Sequence, residues 1–179
     1  METLKRLNRT AFAAACAVLI VAAAPLYAYD QSSTFRLLQA NAGVNVSIAG
    51  TQDPLVGNAT AFGLVQSPLL GTCVENGQFE ARFPTNPANP VIINGTLSLT
   101  SINGTNSLAF KVSGSALPDP VNPAFYNAKY SLTITNGTGA FASAKGTAVV
   151  REVVLFTSQT NAMATWNLKG FVSTPCTPH

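Results

Sequence analysis

Histidine is all but absent from this chain, its single copy being the terminal His179. A Ser-His-Asp triad, a histidine general base and a histidine-rich metal site therefore have no usable imidazole. Neither a metal nor a cofactor is expected, since no phosphate loop or dinucleotide fingerprint is present either. Charge is scarce too: Asp, Glu, Lys and Arg make up 9% of the 179 residues. Three of the ten basic residues (Lys5, Arg6, Arg9) and one of the seven acidic ones (Glu2) lie in the opening segment. Beyond it seven basic residues stand against six acidic ones, a net +1 scattered along the chain. No basic stripe is left to hold a phosphate backbone, so nucleic acid is not an expected partner. Disorder is excluded as well, because disordered chains pair low hydrophobicity with high net charge, and this one is rich in Val, Ile, Leu and Phe. Helix signals are nearly missing after residue 41.

What is present begins with a leader. Lys5, Arg6 and Arg9 precede the unbroken apolar run Ala11–Ala24, then Pro25 and Leu26-Tyr27-Ala28. Positive opening, apolar run and small terminal residue are the order of a cleavable signal peptide over residues 1–28. The run falls short of the roughly 20 residues that cross a bilayer, so no integral membrane segment is expected after cleavage. The mature chain, 29–179, is then secreted or periplasmic. Its length of about 150 residues suits one domain with a sizeable core. Two cysteines remain in it, Cys73 and Cys176. An oxidising compartment would let them pair, closing a loop worth roughly 4–5 kcal/mol in the chain-entropy model. Two separate buried thiols are the alternative. A pair would tie the end of the last strand to a loop at 70–75.

The mature sequence alternates apolar and polar residues. Val44, Val46 and Ile48 do so first, then Phe79, Ala81 and Phe83, then Leu97 and Leu99. Leu108, Phe110 and Val112 follow, and Tyr130, Leu132 and Ile134. Period two is the signature of a strand with one dry and one wet face. Further strands are expected at 58–65, 147–156 and 164–172, making eight. Four Asn-Gly pairs, at Asn76, Asn94, Asn103 and Asn136, read as hairpin turns, since Asn and Gly tolerate positive φ. Asn94-Gly95 reads equally well as a bulge. Prolines at 84, 87 and 90, and at 118, 120 and 123, mark two connections. The expected architecture is an all-β antiparallel eight-stranded barrel, with a β-sandwich as the alternative.

One segment has a family character. Residues 131–147 run from a strand through Asn136-Gly137-Thr138-Gly139-Ala140-Phe141 into a small-residue stretch ending at Gly146-Thr147. This resembles the Gly-Gly-Thr-Gly-x-Phe segment of dirigent proteins and allene oxide cyclases, and of exported bacterial β-proteins with the same turn. Asn136 stands where that segment has its first glycine. The resemblance implies an eight-stranded antiparallel barrel, in agreement with the strand count. In the segment itself, Gly137 and Gly139 allow a sharp turn and Phe141 can fold back to plug one end of the core. No position of this chain matches the family's catalytic acidic and basic residues, so the resemblance implies a fold and not a chemistry.

The candidate site rests on Arg151-Glu152, set between Thr147–Val150 and Val153–Phe156. Successive strand residues point to opposite faces, so one of the two charges is expected inside the barrel. It either reaches water near a barrel mouth or pairs with Glu80 or Arg82, or it orients a ligand. Tyr130 and Trp166 lie in patterned strands and either fill the core or line a cavity beside that charge. Three functions remain: a non-catalytic barrel binding a small apolar or aromatic compound, a dirigent- or cyclase-like barrel steering a reactive intermediate, and a structural or adhesive surface protein. An internal cavity of several hundred Å³ would separate the first two from the third. A polar group aimed into it would be needed for the second. The sequence sets no oligomeric state.

Overall fold

The computed structural model describes residues 33–175. The expected signal peptide over 1–28, and Cys176, lie outside the described residues. Eight strands follow in chain order: β1 (Ser33–Gly50), β2 (Val56–Ser67), β3 (Gly71–Arg82), β4 (Val91–Ser101), β5 (Ser107–Pro118), β6 (Phe125–Thr138), β7 (Lys145–Phe156) and β8 (Asn161–Pro175). They close into an antiparallel barrel in sequential order. Closure sets aside the sandwich and leaves no unpaired sheet edge. The alternation becomes an inside and an outside: Leu97, Leu99, Leu108, Phe110, Val112, Leu132 and Ile134 are buried in the lumen. Among the described residues, no helix is long and apolar enough to cross a membrane.

Of the four Asn-Gly pairs only Asn103-Gly104 is a turn, joining β4 to β5, with Gly104 at φ +71°. Asn76-Gly77, Asn94-Gly95 and Asn136-Gly137 lie within β3, β4 and β6. Close approach of a neighbour, and not turn geometry, explains glycine at 95. It pairs with Phe79, and a Cβ there would come 2.1 Å from the Gln78 carbonyl oxygen and 2.8 Å from the Phe79 ring. Of the segment 70–75, expected as a loop, all but Leu70 likewise belongs to the start of β3. The register shifts between Ala109 and Phe110, whose β6 partners are Asn136 and Ile134, so the β6 bulge skips Thr135. The two proline-marked stretches are connections, at 83–90 and 119–124, except that Pro118 closes β5.

The two ends of the barrel differ. At the end holding the β2–β3, β4–β5 and β6–β7 connections, Leu38, Val65, Cys73, Leu108 and Val172 are fully buried. Phe141 joins them from a single 3-10 turn, Gly139–Phe141, and is 2% exposed. Gly139 opens that turn at φ +60°. The other end, at the proline-marked connections, carries a smaller cluster of Ala81, Val91, Ala116 and Ala128. Alanine fills little space, and this end is hollow.

Candidate functional site

The hollow end holds a cavity of about 100 Å³. That is smaller than the several hundred Å³ expected, because the closed half of the lumen is filled by Leu, Val and Phe. An apolar void of about 150 Å³ binds benzene in another protein, so the present volume suits at most one small aromatic ring, with anything longer reaching the open mouth. Ile48, Phe83, Tyr126 and Phe156, all partly exposed, form the rim. Tyr126 and Phe156 meet edge to face, with ring centroids 5.2 Å apart. Wall residues contributed by β1, β2, β4 and β5 are all apolar.

Five side chains with a polar atom line the chamber: Tyr126 at the rim, and Glu75, Tyr130, Glu152 and Trp166 in the walls. On β7, Glu152 turns inward and Arg151 lies exposed outside, as the two-residue period requires. Glu152 sits opposite Trp166 on β8 and Ala128 on β6. Its Oε2 accepts a short hydrogen bond, 2.5 Å, from the Tyr130 hydroxyl. The expected partners Glu80 and Arg82 instead pair with each other outside the barrel, at 2.7 Å. Trp166, 3% exposed, donates its indole N–H across the lumen to Glu75 Oε2 on β3, at 2.9 Å. The structure thus brings three of the four expected site residues together and leaves Arg151 out.

Glu75 is the member that sequence reasoning missed. Mistaking Asn76-Gly77 for a turn cut its strand short. Had the strand been carried through, Cys73, Glu75, Gly77 and Phe79 would share one parity, and a glutamate among buried neighbours would have stood out.

Burial sets the electrostatics. Desolvation, reinforced by the Glu152 charge and opposed by the Trp166 hydrogen bond, pushes Glu75 up to about 7. Burial also raises Glu152, against the bond from Tyr130. Tyr130 is held well above the ordinary phenol range, by burial first and then by the Glu152 charge, so it remains a donor. Two buried carboxyls whose affinity for a proton is raised can give or take a proton, or meet a charge, inside an apolar chamber.

Tyr130 owes its position to Gly114, its cross-strand partner on β5. A Cβ at Gly114 would come 2.2 Å from the Lys129 carbonyl oxygen and 2.8 Å from the Tyr130 ring. Gly114→Ala is expected to cost about 1–3 kcal/mol of stability through overpacking. Urea unfolding measures it, and a cost below about 0.5 kcal/mol would refute the close packing.

The remaining sequence candidates are structural in placement. Gly137 belongs to β6, while Gly139 and Phe141 form the turn at the closed end. Cys73, expected to pair with Cys176, is instead a fully buried free thiol whose Sγ lies 3.8 Å from the Leu70 carbonyl oxygen, and burial pushes its pKa up. Among the described residues no group of three His, Cys, Asp or Glu side chains is placed to hold a metal ion. On the outer face Phe35 and Leu37 of β1, Phe62 and Leu64 of β2, and Met163 and Phe171 of β8 are exposed.

No protein-family model and no curated protein matches the chain. Among solved structures it is similar to a pterocarpan synthase dirigent protein, with a TM-score of 0.51 and 13% identity, over 84% of this chain and 90% of that one. The likeness is one of fold: this chain is a dirigent-like eight-stranded barrel.

Proposed function

We propose that residues 29–179 form an exported, non-catalytic barrel that binds a small apolar or aromatic compound in the cavity at its hollow end. The observation that carries this reading is the apolar chamber itself, rimmed by aromatic rings and holding a few fixed polar groups, which is how small-molecule sites are built. Export is supported by the leader-like opening segment. A surface-adhesive role draws on the exposed apolar side chains alone and leaves the chamber without a use.

The chain's single tryptophan, Trp166, lines the cavity and reports on it. Titration with p-cresol is expected to change its fluorescence saturably, with a dissociation constant of about 10 μM to 1 mM, as suits so few atoms. Ala116→Phe, which fills the chamber, should weaken that binding at least about tenfold. Absence of saturable binding, or binding untouched by the substitution, would overturn the reading.

A second reading, a barrel that steers a reactive intermediate by shape, is favoured by the inward carboxyls. It would be recognised by a change in product stereochemistry when the protein is added to a coupling reaction.

A further inference from the structure

The two carboxyls each use one oxygen on a protein donor, Glu75 on Trp166 and Glu152 on Tyr130. Among the described residues no side-chain nitrogen or oxygen sealed from solvent lacks a hydrogen-bond partner. The second oxygen of each carboxyl, which takes no protein bond, therefore faces the cavity. Among the described residues no cation faces them. Arg82, Lys129, Lys145, Arg151 and Lys169 lie on the strands that carry the site but are exposed on the outer face. The titratable groups facing the pair are Tyr126 and Tyr130 of β6, and Cys73 lies farther down β3 toward the closed end. β1, β2, β4 and β5 present only apolar residues to the chamber. A lumen that can hold negative charge, has no internal counter-ion and is walled by Phe79, Phe83, Tyr126, Tyr130, Phe156 and Trp166 is complementary to an organic cation, since aromatic faces also attract positive charge.

We propose that the ligand is a small aromatic amine, its ammonium group held between Glu75 and Glu152 and its ring against the apolar walls. This rests on the cavity being a binding site and adds the charge of what it selects. A neutral ligand would gain the walls but not the carboxylates, and an anion would meet like charge in a poorly solvated space.

Three near-isosteric probes separate these cases: phenethylamine, 2-phenylethanol and phenylacetate, titrated calorimetrically into the purified protein at pH 8 and pH 5. An alkylamine, with a pKa of about 10 like that of lysine, stays charged at both. At pH 8 the amine is expected to bind at least about tenfold more tightly than the alcohol, and phenylacetate not measurably. At pH 5, below the value of about 7 at which Glu75 takes up its proton, the amine-to-alcohol ratio should fall. Glu75→Gln and Glu152→Gln, made singly and together with the barrel verified by circular dichroism, should lower the same ratio at pH 8. If the alcohol binds and the amine binds no better, or if the preference survives both the low pH and the double substitution, the charge selection is overturned while the cavity reading stands. If none of the three binds, both fall.

Discussion

Phe141→Ala is expected to destabilise the barrel by about 3–5 kcal/mol, the usual cost of truncating a buried aromatic ring. In a domain of this size that lowers the melting temperature by roughly 10 °C. The ring is 2% exposed and sits among the fully buried Leu38, Leu108 and Val172. It reaches them from a short turn whose own hydrogen bonds, Ala142 N–H to Gly139 and Ala144 N–H to Phe141, fix where the ring enters. A turn this short relaxes little into the void, which places the cost toward the upper end of the range. Phe171→Ala is the matched control. That ring is 63% exposed on the outer face of β8, and its loss should move stability by no more than about 0.5 kcal/mol. Equal effects in the two variants, read by urea unfolding, would mean that Phe141 does not close the barrel.

The contrast between those two rings marks where the sequence is legible. Period-two alternation carried five of the eight strands, because a barrel wall has one dry face along its whole length; the other three were expected beside them without so clear a pattern. The same rule put one of Arg151 and Glu152 inside, and the structure shows that it is Glu152. It did not supply Glu152's partner, since Tyr130 comes from another strand and its ring direction depends on the bare backbone at Gly114. It also failed wherever one residue pair serves two purposes. Asn-Gly makes good hairpin turns, but a glycine in a tightly coiled wall also makes room for a neighbouring ring, as Gly95 does for Phe79. Reading the first meaning at Asn76 hid Glu75. The hollow end was legible only afterwards: Ala81, Ala116 and Ala128 are ordinary strand residues in sequence, and only the register shows them gathered at one mouth.

The missed glutamate gives the other large expected effect, which is on stability as a function of pH. Glu75 holds its proton up to about pH 7 in the folded barrel, against an ordinary value of 4.5. Between those values the unfolded chain has released a proton that the folded one retains, so folding takes up a proton and stability falls as the pH rises. The loss begins near pH 4.5 and is complete above about pH 7. Its size, at about 1.4 kcal/mol per unit, is on the order of 3 kcal/mol for Glu75 alone. Glu152, raised by burial, acts in the same direction. Asp119 acts in the opposite one, its carboxylate held low by the backbone N–H groups of Asn122 and Val121, but only in acid below this window. Urea unfolding at pH 5, 6.5 and 8 should therefore show stability decreasing, and Glu75→Gln should flatten the curve. At pH 8 that variant should be the more stable protein, because the neutral amide can still accept the Trp166 N–H without a buried charge. A native curve that is flat or rises from pH 5 to pH 8 would show that Glu75 ionises as freely inside the barrel as outside. A site whose groups cost the fold stability at neutral pH is the pattern expected where the charge serves a ligand, because a bound cation would offset the penalty that the empty barrel carries.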